Sequence, residues 1–187
     1  MRKPNLPRTP RKPVGSAELP PLPKAIVEEL ASTAARPMDA RWFTAKALEA
    51  LGAGDAREAF ELATSAKQAA NRSPTVREIR GVAAYLTGDF KEALSELQAF
   101  RRLTNSVVHD ARIADCYRGL GRPLRAVEFL DQHAATGPVA ALVRAGALQD
   151  AGDPSGAGAA LRLAGLGKAG IPPAGFVPPG MPGSAPA

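Results

Sequence analysis

The chain of 187 residues has one cysteine, Cys116, so no internal disulfide can form, as is usual in a reducing compartment. No stretch approaches the roughly 20 apolar residues that a membrane-spanning helix requires. Prolines also interrupt the basic N-terminus where a secretory signal would carry its apolar run. A cytoplasmic protein without membrane contact is the expectation. Runs of alternating β-branched residues long enough for a sheet are missing too, which leaves helices as the regular structure. Acidic residues are absent from both ends: all 18 lie between Glu18 and Asp153. Of the 24 basic residues, Arg2, Lys3, Arg8, Arg11 and Lys12 precede that window and Lys168 follows it. The window therefore holds 18 of each sign and is neutral, and the net charge of +6 belongs mostly to a basic arm.

Proline is scarce in the middle and dense at the ends. Seven of 18 prolines fall in Met1 to Pro23, six in Pro172 to Ala187, and five in the 148 residues between. This divides the chain into an arm at 1–23, one domain at 24–167 and a tail at 168–187. Both ends are expected to be disordered, because their composition cannot bury enough apolar area to offset the entropy of ordering.

Within the domain a six-residue pattern recurs: Gly54-Asp55 with Ala59, Gly88-Asp89 with Ala93, Gly121-Arg122 with Ala126, and Gly152-Asp153 with Ala157. The alanines are spaced by 34, 33 and 31 residues. Each Gly ends one apolar helical stretch and opens the next, so the unit reads helix, tight turn, helix. Asp55 and Asp89 are placed to cap the second helix, with Glu58 and Glu92 three residues later completing a capping box. The alanine marks a close helix crossing, and Ala63, Leu97, Leu130 and Leu161 stand one turn further along the same face. Pro74, Pro123, Pro138 and Pro154 fall at predicted helix starts, and Pro37 at the end of a leading helix. The reading is a leading helix at 24–35 and helix pairs at about 39–70, 74–103, 107–134 and 138–166.

Period, Gly and Ala together resemble the tetratricopeptide repeat. Gly81 stands at that motif's first-helix glycine, with Tyr85 one residue late; Tyr117 follows Ala114 at the motif's spacing, and Phe90 fills the aromatic position after the turn. Two blocks, Val76-Arg77-Glu78 leading to Gly81-Val82-Ala83-Ala84-Tyr85, and Ile113-Ala114-Asp115-Cys116 leading to Arg118-Gly119-Leu120-Gly121-Arg122-Pro123, are similar to small tetratricopeptide proteins of actinobacteria. The resemblance covers residues 20 to 165. It implies an all-α, right-handed superhelical solenoid, intracellular, with no biochemical activity to carry over. The fourth pair departs from the pattern in its glycines (Gly152, Gly156, Gly158, Gly165, Gly167), so self-association through this end is a further expectation.

Motifs for chemistry are not met. Gly167-Lys168 is followed by Ala169 where a phosphate loop needs Ser or Thr, and Gly119-Leu120-Gly121 lacks the preceding strand and third glycine of a dinucleotide site. Cys116, His109 and His133 show no paired metal-ligand spacing, and the acid pairs Glu28-Glu29 and Glu58-Glu61 read as solvated helix faces. Cys116 reads as a half-buried structural residue. With no nucleophile, base and orienting group together, the expectation is a non-catalytic protein without cofactor or metal.

The first helices of stacked pairs line a concave surface suited to an extended peptide or a partner helix. The repeat register places Arg41, Thr44, Leu48 and Leu51 there, then Thr75, Glu78, Val82 and Tyr85, then Val108, Ala111, Asp115 and Arg118, then Val139, Leu142 and Gln149. The expected function is a scaffold or adaptor holding another protein or peptide on this surface. For each of these residues the alternative is packing against the next repeat, and Glu78 with Arg118 can equally be an internal ion pair. The alternative function is a nucleic-acid or ribosome-associated factor, held by phosphate contacts from Arg2, Lys3, Arg8, Arg11 and Lys12. The arm has no aromatic residue to stack on bases, and Pro20-Pro21-Leu22-Pro23-Lys24 suits a polyproline ligand or a plain spacer.

Overall fold

A computed structural model describes residues 21–167 of the chain. The basic arm residues Arg2, Lys3, Arg8, Arg11 and Lys12, and the tail from 168 onward, lie outside the described residues. Among the described residues there are nine α-helices and no strand: α1 Lys24–Thr33, α2 Pro37–Gly52, α3 Ala56–Ala69, α4 Pro74–Leu86, α5 Phe90–Thr104, α6 Asp110–Gly119, α7 Pro123–Gln132, α8 Pro138–Asp150 and α9 Pro154–Leu163. In chain order these are one leading helix followed by four successive helix pairs. None of these helices is long and apolar enough to cross a membrane.

Each pair is joined by the turn that the repeated glycine foretells. Gly54 and Gly88 adopt φ of 81° and 79°, a left-handed conformation that costs an L side chain about 1–2 kcal/mol. In both turns the next residue's N–H bonds back to the helix it leaves: Asp55 N to Ala50 O at 2.9 Å and Asp89 N to Ala84 O at 2.9 Å. The same bond recurs from Arg122 to Tyr117 and from Asp153 to Leu148, both at 2.8 Å. This satisfies carbonyls at the end of the first helix and sets the second antiparallel to it.

The second helices start on a side-chain cap in three of the four pairs. Asp55 accepts from Glu58 N at 2.9 Å, Asp89 from Glu92 N at 3.2 Å, and Asp153 from Gly156 N at 2.8 Å. The reciprocal half of the expected capping box is absent, since the Asp55 and Asp89 N–H groups are already given to Ala50 and Ala84. The glutamate is thereby released, and Glu92 turns to Arg80 instead, at 2.7 Å. Pro37 also differs from expectation: α1 ends at Thr33, and Pro37 is the first residue of α2, where its missing N–H costs nothing.

The repeated alanines belong to the core. Ala59, Ala93, Ala126 and Ala157 are buried, and so are Ala63, Leu97, Leu130 and Leu161 one turn on. Packing runs from neighbour to neighbour in chain order, with first helices also in contact, α2 against α4 and α6 against α8. The apolar core is correspondingly divided among clusters along the chain, from Leu30, Ala66 and Val76 at one end to Ala145, Ala157 and Leu161 at the other.

Glu29, expected on a solvated face, does specific work. Its carboxylate accepts from Ser73 Oγ, from Thr75 Oγ1 at 2.5 Å and from Thr75 N at 3.2 Å. Ser73 itself caps α4 through Val76 N at 3.1 Å. A carboxylate from α1 thus holds the positive end of α4.

Candidate functional site

The first helices α2, α4, α6 and α8 carry the residues expected to face a partner, and the structure divides them into two sets. Thr44, Val82, Tyr85, Asp115 and Arg118 are buried, the last three only 3%, 2% and 7% exposed. Arg41 and Glu78 are half-buried, and Gln149 is exposed. The buried set is the alternative raised from the sequence, packing between neighbouring repeats. A correction follows for Tyr85, Asp115 and Arg118: they form the polar interior beneath the surface instead of the surface itself.

Their positions follow from what each element brings. Tyr85, near the end of α4, donates its hydroxyl to Asp115 Oδ2 on α6 at 2.7 Å. Arg118, one turn along α6, donates from Nη1 to Asp115 Oδ1 at 2.8 Å and from Nε to Asp150 Oδ2 at the end of α8 at 2.9 Å. A chain of hydrogen bonds therefore ties three successive first helices together. Charge-assisted bonds of this type are stronger than neutral ones and fix geometry as well. Burial pushes the Tyr85 hydroxyl far above its ordinary range, and the adjacent Asp115 charge adds to that. The phenol stays protonated and remains a donor.

A second connection runs between α4 and α6. His109 Nε2 lies 2.8 Å from Glu78 Oε1, and Arg112 Nη1 lies 3.0 Å from His109 Nδ1. Arginine has only donors, so Nδ1 is the acceptor and Nε2 carries the proton toward Glu78. Burial lowers the Arg112 guanidinium from its ordinary value, with Tyr85 and Glu78 acting in the opposite sense. The internal pair that the sequence left open between Glu78 and Arg118 is thus resolved into two others, Glu78 with His109 and Arg118 with Asp115 and Asp150.

Cys116 is fully buried among Ala84, Tyr85 and Ala93, deeper than the expected half-burial. Burial, then the Asp115 charge, pushes its thiol far up, so it stays an unreactive thiol. Among the described residues no group of three or more His, Cys, Asp or Glu could hold a metal ion.

Two arrangements were not foreseen from the sequence. Glu96 on α5, 1% exposed, takes Lys67, Arg77 at 2.9 Å and Arg80 at 2.6 Å. Arg80 also lies over the Phe60 ring, 4.6 Å from its centroid. Burial alone would raise the Glu96 carboxyl, but the hydrogen bonds from Lys67 and Arg77 prevail and hold it below the ordinary range. The second is a cleft of about 330 Å³ between the third and fourth pairs, at the starts of α6 and α8. Val108, Ala111 and Val139, three of the residues assigned to a partner surface from the register, line it. The signal that could have located the cleft is the adjacent pair Val107-Val108, apolar yet preceding a helix start.

Arg41 Nε and Thr44 Oγ1, both on α2, are buried without a hydrogen-bond partner. Arg41 is a half-buried cation at the other end of the same row of first helices. Against these geometries stands a blank comparison: no known protein family, curated protein or solved structure matches the chain.

Proposed function

We propose that this chain is a non-catalytic scaffold of the tetratricopeptide type, cytoplasmic, whose helix pairs wind into a right-handed superhelix and hold a partner protein or peptide on the face formed by the first helices. The supporting observation is the repeated unit: a left-handed glycine turn and a buried small residue in the second helix, four times over, with first helices packed on first helices. Such a row presents accessible side chains from successive repeats to one ligand. In this chain those are Arg41, Glu78, Val108 and Gln149 instead of the buried Tyr85 and Arg118.

The test is retention of a protein from the native cytoplasm by the full chain, compared with an Arg41→Glu, Gln149→Lys double variant and a chain without residues 1–13. Retention through a high-salt wash that the double variant loses supports the scaffold reading. Loss on removal of residues 1–13, with salt sensitivity and recovered nucleic acid, would move the function to the basic arm.

A further inference from the structure

Short connections give this molecule two edges of different chemistry. Successive helices are joined by only three to five residues, so each runs antiparallel to the next. The turns within pairs, 53–55, 87–89, 120–122 and 151–153, therefore lie along one edge. The connections 34–36, 70–73, 105–109 and 133–137 lie along the other. Three of the four turns end in aspartate, at Asp55, Asp89 and Asp153, whereas no connection contains an acidic residue.

The connecting edge also carries most of the exposed apolar side chains. Among the described residues six large apolar side chains are exposed, and five stand at this edge. They are Met38 in the first turn of α2, Leu103 in the last turn of α5, Val107 and Val108 just before α6, and Leu163 at the end of α9. The sixth, Leu124 at the start of α7, is on the turn edge. Arg72, Arg102 and Arg162 are exposed beside them, and make no ion pair among the described residues. The acids nearest this edge are engaged: Asp39 with Arg36 at 3.7 Å, Asp131 with Arg144 at 2.7 Å, and buried Asp110 with Arg101 at 2.8 Å. Cations in last turns also suit the helix dipole, but that does not account for the aliphatic side chains held in water next to them.

Aliphatic side chains and unpaired cations without acids match the boundary between headgroups and acyl chains of an anionic bilayer. Val107 and Val108 share a cleft, but Met38 and Leu163 belong to opposite ends of the row of helices. A fluid surface accepts so wide a spread, whereas a folded partner needs a matching recess for each side chain. A nucleic acid would use the cations and leave the aliphatic groups in water. We infer that the connecting edge lies on an anionic lipid surface, with Arg72 and Arg102 at the headgroups and Leu103 and Val107 entering the acyl boundary. The expectation of no membrane contact came from the lack of a spanning run, which contact of this peripheral kind does not need. The inference does not rest on the scaffold reading.

The test is flotation of the full chain with vesicles of phosphatidylcholine alone and of equal parts phosphatidylcholine and phosphatidylserine. Binding to the anionic vesicles only, weakening as salt is added, is expected. Arg72→Glu with Arg102→Glu should lower the partition coefficient at least about tenfold, and Leu103→Ser with Val107→Ser about tenfold. Lys91→Glu with Arg122→Glu makes the same change of net charge on the turn edge, and Leu124→Ser the same kind of apolar loss. Both controls should bind as the unaltered chain does. All the substituted positions except the half-buried Pro123 neighbourhood of Leu124 are solvent-facing, and circular dichroism of each variant verifies that the helices are intact. No binding to anionic vesicles, or equal weakening by the turn-edge controls, would overturn the inference. Loss of binding on removal of residues 1–13 would overturn it in favour of the basic arm. Binding to immobilised polyglutamate but not to vesicles would overturn it in favour of an acidic protein.

Discussion

At the scale of the residue, three glycines inside first helices leave no room for a side chain. A Cβ at Gly81 would stand 2.8 Å from Leu97, and one at Gly119 would stand 2.2 Å from the Phe90 ring. At Gly146 on α8 it would meet the Arg118 guanidinium carbon at 2.3 Å. Arg118 crosses there to reach Asp150, so the glycine is what lets the buried cation find its second carboxylate. Gly146→Ala should therefore destabilise the protein by about 2–3 kcal/mol, through overpacking and loss of that ion pair. Gly158→Ala in α9 is the control: the nearest atom to its Cβ is Arg162 Nη1 at 3.2 Å, the movable end of a side chain. There the gain in helix propensity should stabilise by about 0.5 kcal/mol. Urea unfolding of the two variants measures both, and equal effects would show that Gly146 is not a site of close approach. The repeat spacing marked Gly81 in advance, but not Gly119 or Gly146 as contact points. That information lies in which side chain arrives from another helix.

Elements are held to one another by charge as well as by apolar contact. Glu96 on α5 gathers Lys67 from α3 and Arg77 and Arg80 from α4, so one carboxylate joins three helices. Its pKa is depressed in the folded chain, so it contributes stability above the ordinary carboxylate range and loses that contribution as pH falls through the folded value. Stability should accordingly decline on acidification below about pH 4.5, the pKa of an unperturbed carboxyl. Glu96→Gln should cost about 3 kcal/mol at neutral pH, because Lys67, Arg77 and Arg80 each lose a carboxylate partner at a buried position, and should flatten the acid decline. Chemical denaturation of both proteins between neutral pH and about pH 3 reads out the two effects. An unchanged acid limb in the variant would assign the pH dependence to other carboxylates. Helix starts and turns were legible in the sequence, because caps and left-handed glycines are decided within a few residues. The Glu96 cluster was not, since Glu96 lies 16 to 29 residues from its three partners and meets them only when α3, α4 and α5 pack.

For the molecule as a whole, the division of the core along the chain has a consequence for stability. Each pair is supported mainly by its neighbours, so end elements have support on one side only. The α1 helix and the α8–α9 pair should show lower amide protection than α4 to α6, where the Tyr85, Asp115, Arg118 and Glu96 contacts concentrate. Hydrogen exchange by mass spectrometry tests this, and uniform protection from α1 to α9 would show one cooperative unit instead. The same gradient bears on self-association, which we propose only for the last pair, where Leu163 is 90% exposed.

What the sequence determined by itself is local: nine helices among the described residues, their order, the glycine turns between them and the small residues at their crossings. These follow from short-range sterics and hydrogen bonding, which act within a turn or two of helix and therefore leave a periodic trace. The tertiary structure alone decided which polar residues of the first helices face inward. Tyr85, Asp115 and Arg118 have the same spacing whether they meet a partner or each other, and burial was settled by the arrival of Asp150 and Gly146 from a helix about 30 residues further on. The cleft is of the same kind. Val108, Ala111 and Val139 were assignable from the register, but the unpartnered oxygen of Asp110 exists only because Arg101 bonds its neighbour and the packed helices exclude water from the other side.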